Sequence, residues 1–481
     1  MAWLSFVALL IVLTYEGVYL ARRFWRSWGS RGTDVCLVFV LISAFLVSLP
    51  PAYYCIFTGN VESLTFRFGL GTWLRGLAME VVFYGVFILV FRWKRADTSA
   101  ERLAGSLRAT PDSLAFLIAL LVASLVCYWA LMGVWTDAGY EAAGNYYRAN
   151  LASDESAMST VQGTFYRGLI IPLVCMLLFY LPRRGLTFFG YPVLLLGFAY
   201  IAVKSLASGG RGAVLEVFLA AASCFLASGK RLRSLAYIGG VLLFLWALTP
   251  AIYYFRIEAR RYVGFSPWEK AQVVYERWAS SQGSQGEYGT SWVDLRFERL
   301  DGVQDAGILA EHTADTNEFA TYKPFVGSLV ATFPRYFWRD KPLPMSIDQT
   351  VPGLPWYLVM TYRGQRGLNG GVSTPGVAYW QFGWLGVVLT AAGGALFFRY
   401  LSTLAIRGGA MGLLLFLSFC VMTHFRLPVA LDETLFVLCK VVLPVFFVWW
   451  GYTTVLSSIW PTGSLVPASP RPHPPRPVVH R

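Results

Sequence analysis

Three titratable side chains that could accept a proton lie close together in the later part of the chain: His312, Asp315 and Glu318. A base positioned against a hydroxyl group accelerates a transfer reaction by about 10²–10⁴-fold, so these are the candidate catalytic residues. The alternative interpretation is that all three are solvated residues of a polar loop. A metal site built from these three residues is less well supported by the sequence than either interpretation, and we expect neither a metal nor another cofactor.

A second set of residues has the chemistry needed to hold a diphosphate. Each charge-assisted hydrogen bond from a cation to a phosphate contributes about 1.5–3 kcal/mol. The turn Ser208-Gly209-Gly210-Arg211-Gly212 would present Arg211 beside a helix N-terminus, whose free amides favour anions. Lys204 lies deeper in the preceding apolar run, where a cation costs about 2.5–3.5 kcal/mol and tends to mark a functional interior. The other members are Arg256, Arg260, Arg335, Arg339 and Lys341. The alternative for this set is interfacial anchoring and ordinary ion pairs.

Sugar contacts are the least specific candidates. Tyr336 and Trp338 could stack on the apolar faces of sugar rings, and Ser373 could hydrogen-bond to a sugar hydroxyl. Most aromatic residues of this region have an equally simple explanation as an interfacial belt or as the core of a small extramembrane cap.

The elements that must position these residues are membrane helices. The chain has 481 residues, of which 56% are hydrophobic and 14% charged, and apolar runs of about 20 residues, the length that crosses a bilayer, recur along it. We predict an all-α polytopic membrane protein with about eleven transmembrane helices. The predicted spans lie near 3–21, 35–57, 72–91, 112–135, 165–181, 187–206, 212–228, 234–254, 376–398, 410–425 and 434–457.

The distribution of basic residues predicts the topology. The net charge is +13, and the Lys and Arg residues concentrate in alternate connections, which is typical of cytoplasmic loops and gives no reason to expect a nucleic-acid partner. We therefore expect an N-terminus on the outer side of the membrane, a cytoplasmic C-terminus and an external loop between the eighth and ninth spans. The basic connections carry Arg22, Arg23, Arg26, Arg31; Arg92, Lys94, Arg95, Arg102, Arg108; Arg183, Arg184; Lys230, Arg231, Arg233; and Arg399, Arg407.

These boundaries divide the chain into four parts. Residues 1–255 form an N-terminal transmembrane bundle, and residues 256–375 form the external loop or cap that carries most of the candidate site residues. Residues 376–458 hold the last three spans, and residues 459–481 are a Pro/Arg-rich cytoplasmic tail with a composition typical of disorder. Within the loop, residues 324–338 are expected to form an amphipathic or re-entrant helix.

Three short motifs belong together. One is the Gly-Gly-Arg turn at Arg211, and another is the late external loop with Phe333-Pro334-Arg335-Tyr336-Phe337-Trp338 and Lys341-Pro342. The third runs from Gly370-Gly371-Val372-Ser373-Thr374-Pro375-Gly376 to Phe382-Gly383-Trp384-Leu385-Gly386. Together these motifs resemble the O-antigen polymerase (Wzy-type) family of oligosaccharide repeat-unit polymerases. The eleven predicted spans depart from the twelve often expected of that family.

The resemblance implies a function. Such proteins join undecaprenyl-diphosphate-linked repeat units on the periplasmic face of the bacterial inner membrane, without a metal, to make O-antigen, capsule or exopolysaccharide. The implied partners are the lipid-linked oligosaccharide, membrane lipid and a chain-length regulator protein.

Three other classes remain as alternatives. The related O-antigen ligases carry a histidine before a frame that Ser373, Gly383 and Gly386 fit, but this chain has Val372 at the histidine position, so a polymerase is preferred. The second class is a lipid or polysaccharide transporter, which the large cap disfavours. Another glycosyltransferase that uses lipid-linked sugars ranks below the polymerase.

Overall fold

The described part of the chain is entirely helical. The structure is a computed structural model, and it describes residues 2–27, 37, 39–45, 70–92, 97–108, 114–133, 162–180, 211–227, 239–240, 269, 272–273, 276, 302–316, 319–332, 373–423, 430–442, 445, 450 and 454. The helices are α1 (Ala2–Ser27), α2 (Leu70–Phe91), α3 (Asp97–Arg108), α4 (Leu114–Gly133), α5 (Ile171–Tyr180), α6 (Arg211–Ala227), α7 (Gly302–Thr316), α8 (Lys323–Thr332), α9 (Thr374–Arg407), α10 (Gly409–Met422) and α11 (Leu431–Val437). Two π-helical segments adjoin them: π1 (Gln162–Ile170) precedes α5, and π2 (Leu438–Val442) follows α11.

Three of the described helices are long and apolar enough to cross a membrane. They cover Trp3–Arg26, Leu70–Phe91 and Thr374–Arg407, and each contains a predicted span. Shorter apolar helices cover Leu117–Trp129, Phe165–Leu177 and Gly409–Met422, also within or beside predicted spans. The all-α, membrane-type class is therefore supported by the described residues, while the total of eleven spans stays a prediction.

Helices α1 and α2 run side by side in the same direction. Near their starts, the rings of Phe6 and Trp73 lie 6.3 Å apart. Near their ends, the Arg23 guanidinium lies over the Phe91 ring at 5.1 Å. Two odd-numbered spans of an alternating series must be parallel in this way.

Helix α9 is parallel to α2 as well. Phe87 and Phe398 pack with ring centroids 6.4 Å apart, and Arg399 Nη1 donates to the Phe91 carbonyl oxygen at 2.8 Å. Because α2 ends at Phe91, this bond supplies a donor to a carbonyl that the helix leaves without an intrahelical partner. We call the end of the bundle where α2 and α9 begin the loop end, and the opposite end the basic end.

The basic end gathers arginines and an amphipathic helix. Arg92 lies over the Tyr19 ring at 5.1 Å, and α3 packs against α9 and α10. Arg407, in the last turn of α9, forms an ion pair with Glu101 of α3. These contacts join three connections that the sequence predicts to be cytoplasmic.

Candidate functional site at the loop end

Helix α7, which belongs to the predicted external loop, packs directly on α2 and α9. The contact with α2 depends on two glycines: a methyl group at Gly76 would overlap the Val303 carbonyl oxygen, and one at Gly307 would overlap the Thr72 carbonyl oxygen. Backbones approach this closely in membrane bundles only where side chains are absent. This part of the loop is therefore anchored on the helices, which gives the titratable residues of α7 a fixed location.

A polar contact reinforces this anchoring. Thr72 Oγ1 donates to Glu311 Oε2 at 2.6 Å, joining the first turn of α2 to the second half of α7. Sequence reasoning missed Glu311, although it immediately precedes His312 and is equally polar. The feature of the sequence that could have identified Glu311 is its position as a carboxylate directly before the candidate base His312.

The predicted catalytic residues divide between this helix and the part of the chain outside the described residues. His312 is half-buried and Asp315 is exposed. Because they are three residues apart on α7, they lie on neighbouring positions of one helix face. Glu318 falls outside the described residues. Among the residues that the structure describes, no group of three His, Cys, Asp or Glu side chains is arranged to hold a metal ion.

The predicted sugar-binding residue Ser373 has a structural role. It is the N-cap of α9, where its hydroxyl accepts a hydrogen bond from the Gly376 amide at 3.4 Å, and Pro375 follows in the first turn. An N-cap serine and an early proline are the usual start of a helix. Ser373 is 9% exposed, so little of its hydroxyl faces solvent in this arrangement.

A buried polar column continues below Ser373 inside the bundle. The Ser373 hydroxyl lies next to the Glu80 carboxylate of α2 without closing a hydrogen bond of normal geometry. One turn further on, Tyr84 pairs with Ser43, and a methyl group at Gly85 would lie 3.0 Å from Glu16 Oε1. Ionisable residues inside a membrane bundle are costly and usually functional.

Helix α9 is broken close to its start. Phe382 (φ −141°, ψ 23°) and Gly383 (φ 63°, ψ −149°) leave the helical conformation, and the positive φ of Gly383 is one that other residues rarely adopt. The loop between α7 and α8 satisfies the freed carbonyls: the Ala320 amide donates to Trp380 O at 3.0 Å, and the Thr321 amide donates to Gln381 O at 2.9 Å.

The same break positions a polar pair that sequence reasoning did not find. Gln381 Nε2 donates to Asp432 Oδ1 of α11 at 2.8 Å, and Gln381 is fully buried. Burial raises the pKa of Asp432 above its ordinary value, while the hydrogen bond from Gln381 acts in the opposite direction. Broken helix, loop and α11 thus meet at one polar point near the loop end.

Helix α8 begins at Lys323, one residue from the Pro324 start predicted for the amphipathic or re-entrant helix. It packs against α11. The exposed side chains around α8 and the break are largely apolar or aromatic: Phe319, Tyr322, Val326, Leu329, Phe382 and Trp384. Such a surface suits the hydrocarbon or interfacial region of a membrane.

The candidate diphosphate residues are described only in part. Helix α6 begins at Arg211, which agrees with the predicted helix start after the glycine turn. The other members, and the two aromatic sugar candidates, lie outside the described residues: Lys204, Arg256, Arg260, Arg335, Arg339, Lys341, Tyr336 and Trp338.

An ion pair near Arg211 also escaped the sequence analysis. Arg167 Nε of π1 lies 3.7 Å from Glu216 Oε2 of α6, and the two side chains are 39% and 1% exposed. Both residues fall inside predicted spans, and opposite charges within two apolar runs are the signal that could have found the pair.

Together, these features define an all-α protein with membrane-type helices and a loop-derived helix docked over a broken helix. Comparison of the chain with protein-family models, with curated protein sequences and with solved structures found no match. The case for a function therefore depends on the residues and their geometry.

Proposed function

We propose that this chain is a metal-independent membrane glycosyltransferase that polymerises undecaprenyl-diphosphate-linked oligosaccharide repeat units on the periplasmic face of the inner membrane. Its product would be an O-antigen, a capsule or an exopolysaccharide. The observation that carries the proposal is the docking of α7, since it holds His312 at the loop end of the bundle, close to the level at which the head group of a membrane-borne substrate would lie.

The reaction requires three things of the protein: the two substrates held in position, a base for the sugar hydroxyl, and positive charge near the diphosphate. His312 accepts the proton of a sugar hydroxyl on the incoming repeat unit, and the resulting oxygen attacks the anomeric carbon of the growing glycan. The bond between that carbon and the diphosphate oxygen breaks, and the electron pair leaves on the diphosphate. Cations near the diphosphate stabilise the charge that develops there. The candidates for this role remain Arg211 and the loop cations.

The direct test is a chain-extension assay in vesicles. The purified full chain, supplied with a single-repeat-unit lipid, should give a ladder of longer glycans, and His312→Ala should slow extension by about 10²-fold or more. Ala314→Ser, a change at an exposed position two residues further along α7, is the control, and it separates His312 from a general effect on α7. Normal extension by His312→Ala at wild-type protein levels would remove His312 as the base.

A transporter is the second candidate, because the described core contains features that transporters use. Helix α9 is discontinuous beside the Gln381–Asp432 pair, and Glu80 is a fully buried carboxylate in α2. Discontinuous helices and intramembrane carboxylates are common at transport sites. However, backbone amides of the loop already occupy the freed carbonyls of Trp380 and Gln381, which leaves them less able to coordinate an ion.

The two candidates differ in their products. A polymerase lengthens the glycan on a fixed side of the vesicle, whereas a transporter moves a lipid-linked unit across the bilayer without changing its length. Mass analysis of the glycolipid, together with its accessibility to an added glycosidase, distinguishes them in one experiment.

A further inference from the structure

Arg167 has an environment that differs from that of a simple anchoring arginine. It lies on π1, at the start of an apolar helix, and its partner Glu216 is almost completely buried. An arginine that only reaches for the membrane surface has no need of a buried carboxylate. A buried charge is costly, and an apolar contact between the two helices would avoid that cost.

The geometry leaves part of the guanidinium available. The contact with Glu216 involves Nε, and the side chain of Arg167 stays 39% exposed. A guanidinium offers five donors in a fixed plane, so a carboxylate on the Nε side orients the group while the terminal nitrogens can bind a second anion. This arrangement resembles the way in which outer partners orient the ligands of a charged site.

The position connects Arg167 with Arg211. Glu216 lies five residues after the start of α6, which corresponds to about 7.5 Å along the helix axis at 1.5 Å per residue. Arg167 is therefore within about one and a half turns of the helix start at Arg211. The two cations come from different parts of the sequence, and only the packing of π1 and α5 with their neighbours brings them to the same region.

A second π-helical segment extends this region towards the loop. Segment π2 contacts both π1 and α8, and it carries Lys440, which is 9% exposed and lies 4.8 Å from the Phe436 ring. Segments of π-helix are rare and often occur at functional sites. Here two of them contact each other, and each carries a cation inside an apolar run.

We infer that Arg167, oriented by Glu216, binds a phosphate group of the polyprenyl diphosphate carried by the lipid-linked substrate. The inference rests on the proposed function and adds a binding residue to it. A membrane-borne diphosphate is the anion that fits best, because the pair lies among apolar helices, which suit the hydrocarbon chain that such a lipid carries and a soluble anion lacks.

The test measures binding of undecaprenyl diphosphate to the full chain in nanodiscs that contain phosphatidylglycerol as the background anionic lipid. Native mass spectrometry gives the bound fraction, with undecaprenyl monophosphate as the comparison ligand. The wild-type protein should prefer the diphosphate. The double variant Arg167→Gln/Glu216→Gln keeps a neutral pair of similar size, and it should weaken diphosphate binding by at least about tenfold.

Two further variants separate the guanidinium from the fold. Glu216→Gln retains the arginine and a polar side chain of similar size beside it, so binding should stay within about threefold of wild type. Arg167→Lys keeps the charge but loses the planar fork, so it should give an intermediate loss. A thermal unfolding measurement on each variant checks that the bundle is intact.

The control is the ion pair of Arg407 with Glu101 at the basic end, where the arginine has nearly the same exposure, 41%. Arg407→Gln/Glu101→Gln should leave diphosphate binding unchanged.

If the Arg167→Gln/Glu216→Gln variant bound like wild type while wild type preferred the diphosphate, Arg167 would be ruled out and the proposed function would stand. A wild-type protein with no preference for the diphosphate would overturn both. Displacement of the lipid by an equal concentration of inorganic diphosphate would overturn the membrane-borne assignment.

Discussion

At the residue scale, the break in α9 lies directly beside a hydrogen bond between Gln381 and Asp432. The carboxyl accepts from Gln381 Nε2 at 2.8 Å, and it does so whether or not it is ionised. Ionisation, however, places a charge in a partly buried site. The pair is therefore a stable contact for the neutral acid and a less favourable one for the carboxylate.

The pH dependence of this contact follows from the raised pKa of Asp432. The ordinary value is 3.8, and burial raises it; a group with a raised folded pKa contributes stability that is complete below its unfolded pKa and is lost as the pH rises through the folded value. Asp432→Asn keeps an acceptor for Gln381 and removes the charge. We expect the melting temperature of Asp432→Asn to exceed that of wild type by a margin that grows as the pH is raised from about 4 to neutrality. Equal pH profiles for the two proteins would contradict this account.

Single residues also mark the limit of sequence reasoning. His312 and Asp315 are predicted as candidate proton acceptors because such side chains are recognisable by type. Glu311, Gln381 and Glu216 were missed because their importance comes from a partner distant in sequence, and only packing supplies that partner.

At the element scale, the close contact with α2 makes α7 part of the bundle. Gly76→Ala would place a methyl group against the Val303 carbonyl oxygen, and α7 would have to move away. A displacement of about 1 Å at a catalytic group can reduce the rate by about 10²-fold. We therefore expect a large loss of chain extension from this conservative change.

The matched control lies in the same helix. A methyl group at Gly71 would meet no atom within 4 Å, so Gly71→Ala should retain wild-type extension. Activity and thermal unfolding are measured on both variants. If Gly76→Ala were as active as Gly71→Ala, the position of α7 on α2 would not matter for the reaction.

The geometry of α9 accounts for the serine and glycines of the motif at its start. Ser373 caps the helix, Gly383 supplies the positive φ of the break, and a methyl group at Gly386 would overlap the Ala378 carbonyl oxygen. These positions match the ligase-like frame, yet each has a structural function here. The span itself was predicted from its apolar run, whereas the break was not, because a lone glycine in an apolar run does not distinguish a kink from close packing.

At the scale of the whole molecule, hydropathy and charge predicted much of what the described helices show. The predicted spans at 3–21, 72–91 and 376–398 coincide with the three long helices, and their parallel arrangement is the one that odd-numbered spans require. The docking of α7 was not predictable in the same way. The composition of a polar, external loop does not indicate which helices the loop will contact.

The two ends of the bundle differ enough in chemistry to predict their compartments. Arginines contact α1, α2 and α9 at the basic end, whereas the loop end carries α7, α8 and the break. Because basic residues are retained on the cytoplasmic side, we expect Asp315 of α7 to face the periplasm and Arg102 of α3 to face the cytoplasm. Both side chains are exposed, so each position can be labelled.

Cysteine labelling in intact spheroplasts tests this orientation. A membrane-impermeant maleimide should react with Asp315→Cys before lysis and with Arg102→Cys only after lysis, relative to the wild-type protein with its seven cysteines as background. The reverse pattern would put His312 in the cytoplasm, away from a periplasmic glycan. The orientation of the bundle therefore decides whether α7 can serve the proposed reaction, independently of which residue acts as the base.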